Sequence, residues 1–140
     1  MTITLYHGTR AAYLPAIIKA GLLPCAKPGN DATWQCADKW VDEVRKQSVF
    51  VSPTPLIASL FAERLAAKDS DRGIILKIEL PEAEAGRLHV DEAGASDDNG
   101  PNDWCKPSDF QRFDGPIKRE WIVGYAPDLG LLNKAALKAA

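Results

Sequence analysis

An α+β fold is predicted for this chain from three observations. Runs rich in β-branched, aliphatic and aromatic residues recur at Thr2–Tyr6, Ser48–Ser52, Gly73–Leu80 and Ile117–Gly124. Between the first three of them lie segments whose apolar residues stand three and four apart, the spacing of a helix face. The order is therefore strands separated by two or three short helices, not a strict strand–helix alternation. With 140 residues and no internal repeat, the chain reads as one domain spanning residues 1–140.

The elements follow in order. Thr2–Tyr6 alternates side-chain types as a strand does, and His7-Gly8-Thr9 breaks the pattern. Leu14, Ile17, Ile18 and Leu22 share a helix face, with Pro15 in the first turn and Gly21 placed to end it. Residues 23–33 read as loop, and 34–46, with Trp34, Trp40, Val41 and Val44, as a short amphipathic helix. After the strand Ser48–Ser52, Thr54-Pro55 is a cap and first helical position for a helix whose face is Ile57, Leu60, Phe61 and Leu65. Gly73–Leu80 is the clearest strand, and Pro81 ends it. Arg87–Asp91 reads as another strand. Residues 91–116 read as a long loop, with seven acidic residues against two basic ones, which marks them as a functional-loop candidate. Ile117–Gly124 returns to strand, and 131–140 reads as a frayed helical tail.

Composition narrows the function classes. Hydrophobic residues make up 46% and charged residues 26%, a globular profile. No apolar stretch approaches the roughly 20 residues of a membrane span, so no membrane partner is expected. The opening residues lack the basic flank and apolar run of a signal peptide. The expected location is therefore cytoplasmic, or a target-cell cytosol reached by specialised secretion. A net charge of −2 gives no general reason to bind nucleic acid. Cys25, Cys36 and Cys105 are widely spaced, with no C-x-x-C, and are read as reduced thiols rather than zinc ligands.

Three segments carry chemistry. In Tyr6-His7-Gly8-Thr9 a titratable ring is followed by a residue without a β-carbon, which lets the backbone approach a flat ligand. Val49-Phe50-Val51-Ser52 precedes a helix bearing Ala58 and Phe61, so two aromatics could enclose a ring and attract a pyridinium cation. In Arg119-Glu120-Trp121-Ile122-Val123 a glutamate stands in an apolar strand, where Glu120, Ile122 and Gly124 would share one face. Taken singly, a strand-end histidine, ordinary core aromatics and a solvated glutamate account for each.

Read in order, the three segments resemble the motifs of the ADP-ribosyltransferases of the diphtheria-toxin and poly(ADP-ribose) polymerase type. Tyr6-His7-Gly8-Thr9 with the helix ending at Lys19-Ala-Gly-Leu22 resembles the first motif, Phe50 to Phe61 the second, and Glu120-Trp121-Ile122-Val123 the third. The resemblance covers most of residues 3–125. It implies the ADP-ribosyltransferase fold, with two packed, mostly antiparallel sheets forming an NAD+ cleft between short flanking helices. It also implies NAD+ as co-substrate and no metal. Glu120 and His7 would be catalytic. His7 would bind a ribose hydroxyl, and Gly8 would grip the nicotinamide carboxamide. Phe61 and Phe50 would enclose the ring, and Thr9 and Arg10 would hold the pyrophosphate or adenosine end. The pattern departs in two places: Phe50 stands where tyrosine is frequent, with Ser52 as a substitute hydroxyl, and Ala58 where a serine is frequent.

The expected activity is mono-ADP-ribosyl transfer to a macromolecular acceptor, a protein or a nucleic acid, with a neutralising partner protein as a further expectation for small toxins of this type. Lys118 stands where arginine-specific relatives have an acidic residue. The acceptor-loop candidates are Trp104, Phe110, Gln111, Arg112 and Phe113. The alternatives are an NAD+ glycohydrolase using the same residues, an RNA 2′-phosphotransferase, and a non-catalytic module that binds NAD+, ADP-ribose or a protein.

Overall fold

The computed structural model describes residues 1–24, 47–68, 71–90 and 107–127. The expected helix at 34–46, the tail at 131–140, Trp104 and the three cysteines lie outside them.

Strand β1 (Thr2–Arg10) runs four residues past its predicted end. It does so because β3 (Gly73–Pro81) pairs with it antiparallel along its whole length, from Thr2 opposite Pro81 to Arg10 opposite Gly73. A turn of 3-10 helix at Ala11–Tyr13 leads into α1 (Leu14–Ala20). Gly21 ends α1 with φ +80°, a conformation that favours glycine, and its N–H donates to Ile17 O. β2 (Ser48–Val51) is followed by the fourteen-residue helix α2 (Pro55–Lys68). Then come β3, a 3-10 segment at Glu82–Arg87, β4 (Leu88–Val90), a 3-10 turn at Pro107–Asp109 and β5 (Gln111–Asp114). A 3-10 turn at Arg119–Trp121 leads into β6 (Ile122–Ala126).

Among the described residues these strands form two antiparallel three-stranded sheets, ordered β1-β3-β6 and β2-β5-β4. The alternation of each strand assigns its faces. Leu5, Leu76, Ile78 and Leu80 of the first sheet and Val49, Val51 and Phe113 of the second turn towards one another. With Leu22, Ile117 and Trp121 they make the main core, in which Leu76, Ile78, Leu80, Phe113 and Ile117 have no exposed surface. Burial of each such side chain contributes about 2 kcal/mol. The opposite face of the first sheet carries Gly8, Gly73 and Ile75, and α2 packs there through Ala58 and Ala62. The architecture is thus helix, sheet, core, sheet.

Three expectations are corrected. Residues 111–114 are not loop but β5, the central strand of the second sheet. Phe113 is therefore core, meeting the Trp121 ring edge-on at 6.1 Å, and Phe110 packs with Ile57 of α2. The late strand does not run through Glu120. Ile117 forms an isolated bridge with Leu22, the chain turns at 119–121, and regular pairing begins at Ile122. The cause is the α1 terminus. Gly21 abuts Ile117–Arg119, where a β-carbon would stand 2.9 Å from the Arg119 nitrogen. Arg119 also ties the turn down, its Nε donating to Ile18 O at 2.8 Å.

Candidate active site

The two sheets meet at one short seam. Tyr6 N–H donates to Ser52 O at 2.7 Å and Ser52 N–H to Tyr6 O at 2.9 Å. These are the only main-chain bonds between β1 and the β2 segment among the described residues. Because ladder bonds alternate in direction, Tyr6 turns its polar groups away from β3, and Gly8, two residues on, does the same. A continued ladder would join Gly8 to Phe50. Instead the His7 ring intervenes: its Nδ1 donates to Phe50 O at 2.6 Å. Beyond that bond the ladder stops, and the N–H and C=O of Gly8, a buried residue, make no main-chain bond to β2 among the described residues.

The bond to Phe50 assigns the tautomer of His7. A carbonyl only accepts, so Nδ1 carries the proton and Nε2 keeps a lone pair in the neutral ring. Burial lowers the His7 pKa below its ordinary 6.5, and the bond to Phe50 O opposes that shift without reversing it. The unfolded chain therefore binds more protons than the folded one below about pH 6.5, and stability falls as pH drops through that value. His7→Asn, whose amide offers a donor that does not titrate, is expected to lose less melting temperature than wild type between about pH 7 and 5. Equal losses would assign the acid sensitivity to another group.

Gly8 is also a packing position. A β-carbon there would overlap the Ala58 carbonyl oxygen and stand 2.8 Å from the Ala62 nitrogen. The missing side chain thus admits α2, not a ligand. Phe61, next to Ala62 on α2, is 36% exposed.

The other sequence candidates divide. Ser52 is buried and its Oγ accepts from Thr54 N–H at 3.0 Å, so it presents no accessible hydroxyl. Thr9 is buried. Arg10 pairs with Asp71, Nε to Oδ2 at 3.3 Å, donates to Tyr13 Oη at 3.1 Å and lies over the Tyr13 ring. Asp71 also accepts from the Ala12 and Arg72 amides, and these two bonds first, then Arg10, hold its carboxyl below the usual range. Register places the Phe50 side chain on the outer face of the second sheet, in one row with Arg112 and His89. In that face Asp114 accepts from Arg112, Ser48 and His89 at 2.6, 2.9 and 2.9 Å.

Glu120 is exposed on the turn into β6 and makes no hydrogen bond or ion pair among the described residues. Among the described residues no hydrogen bond or ion pair joins it to His7. The residue that register brings into the row of His7 is Tyr125, across Leu76 and on the same face. Simple alternation from Glu120 hid it, because a β-bulge at Val123 shifts the register between Gly124 and Ile122.

No helix among the described residues is long and apolar enough to cross a membrane. No group of three or more His, Cys, Asp or Glu among them is arranged to hold a metal ion. Compared with known proteins, the chain matches no family model and no curated protein.

Proposed function

We propose that the chain is a mono-ADP-ribosyltransferase that takes NAD+ into the opening where β1 and β2 diverge. The observation that carries this reading is the seam itself. A neutral histidine is fixed by one nitrogen with its other lone pair available, beside a glycine whose N–H and C=O are turned to the β2 side and make no main-chain bond to it among the described residues. An amide such as the nicotinamide carboxamide satisfies both main-chain groups of Gly8 at once, and a ribose hydroxyl donates to His7 Nε2. Phe61 supplies an aromatic face for the pyridinium.

The reaction breaks the bond between the nicotinamide nitrogen and C1′ of its ribose. The electron pair leaves with nicotinamide, which departs neutral. Positive charge develops on the sugar, and a carboxylate stabilises it where it forms. Glu120 is the candidate for that role. The acceptor then gives an electron pair to C1′ and its proton to a base. The exposed position of Glu120, without a partner among the described residues, favours a second reading, a module that binds NAD+ or ADP-ribose without turnover.

Incubation of the protein with NAD+, with and without cell lysate, tests the proposal, with nicotinamide and ADP-ribose products followed by mass spectrometry. Lysate-dependent release with a mass increment on a macromolecule is the expected result. Free ADP-ribose without lysate would make it a glycohydrolase. Binding of NAD+ without release would leave the module.

A further inference from the structure

We propose that Gln111 is a recognition residue of this cleft, its Oε1 accepting a hydrogen bond from an uncharged N–H or O–H of bound NAD+. The inference rests on the NAD+ reading above. Its starting point is an orphan: among the described residues, Gln111 Oε1 is the one buried side-chain nitrogen or oxygen with no hydrogen-bond partner. Buried polar atoms are nearly always paired, because an unpaired one carries its full desolvation cost.

The orientation of the amide is fixed by chemistry. Gln111 Nε2 donates to Ser108 O at 2.7 Å, near the surface. Turning the amide over would set two oxygens against each other, so the Oε1 end is the one directed inward. No rotation about the amide relieves the orphan without breaking the bond to Ser108.

Position links the atom to the seam. Gln111 pairs with Val51 and Val90, on the face of the second sheet that Val49 and Phe113 also occupy. That face looks towards Leu5, His7 and Leu76 of the first sheet. Gln111 on β5 pairs with Val51 of β2, and His7 on β1 lies beside the same strand, next to the Tyr6–Ser52 bridge. His7 Nε2 and Gln111 Oε1 are then two neutral acceptors on either side of Val51. Such a pair suits the ribose-nicotinamide half of NAD+, whose uncharged donors are ribose hydroxyls and carboxamide N–H groups.

The test is calorimetric titration of wild type, Gln111→Leu and Gln111→Met with NAD+, nicotinamide and ADP-ribose, with melting curves of each protein. Both variants are expected to melt at or above the wild-type temperature, because the orphan is gone. Both are expected to bind NAD+ roughly tenfold more weakly, the effect of one lost neutral hydrogen bond. Weakening shared by nicotinamide assigns the donor to the carboxamide, and weakening shared by ADP-ribose assigns it to a hydroxyl. Undiminished NAD+ affinity in the variants, or melting far below wild type, would overturn the proposal. Wild type that does not bind NAD+ would instead sink the functional reading, and this inference with it.

Discussion

Gly8→Ala is expected to destabilise the protein by about 3 kcal/mol and to lower its melting temperature by roughly 10 °C. The obstruction is a main-chain carbonyl oxygen of α2, backed by the Ala62 nitrogen at 2.8 Å. Main chain cannot swing aside as a flexible side chain does. For the same reason Ala58→Gly does not rescue the variant, since residue 58 keeps its carbonyl whatever its side chain. Relief requires α2 to lift from β1, which uncovers Ala58, Ala62 and Ile75. Thermal melts of the two single variants and the double variant check this. A Gly8→Ala protein that melts with wild type would mean that α2 does not seat on β1 as described.

Glu120→Gln is expected to leave the fold intact and to remove at least about a hundredfold from the rate of nicotinamide release. The substitution keeps size and hydrogen-bonding reach but deletes the charge. Glu120 is exposed and engages no neighbour among the described residues, so its stability effect should stay within about 0.5 kcal/mol. NAD+ affinity should change little, because in the proposed reaction the carboxylate would act on charge that develops only as the glycosidic bond breaks. Single-turnover rates and equilibrium binding, measured side by side, separate the two effects. Full turnover in Glu120→Gln would remove this residue from the chemistry and call for another carboxylate.

Much of the scaffold was legible because local pattern and tertiary demand agree. Gly73–Leu80 is apolar along one face and at Ile75 on the other, and the structure buries that face in the core and Ile75 beside α2. Pro15 and Gly21 punctuate α1 where their backbone preferences place them. β5 was not legible. Gln111, Arg112 and Asp114 are poor strand formers, and only Phe113 of the four reaches the centre of the core. A central strand this short is held by partners on both sides, information that local sequence does not carry. The turn at Arg119–Trp121 was hidden for a similar reason. Its residues continue an apolar strand pattern, and it is the distant terminus of α1 that bends them. Within the candidate site, His7 and Gly8 stand out by residue type. Their partners could not, since Phe50 O and Ala58 O are backbone atoms present at every position in any sequence.

The seam between the sheets is described by the course of two chains and one imidazole, not by a roster of side chains. Phe50 contributes its carbonyl, Gly8 its peptide groups, and the side chain at position 50 points elsewhere. A tyrosine, a phenylalanine or an aliphatic residue at position 50 would give His7 the same acceptor. Drift at position 50 and across the outer face of the second sheet therefore erases the lettering of the motif while leaving its geometry. Chains that share this opening can be recognisable by shape long after they have stopped being recognisable by spelling.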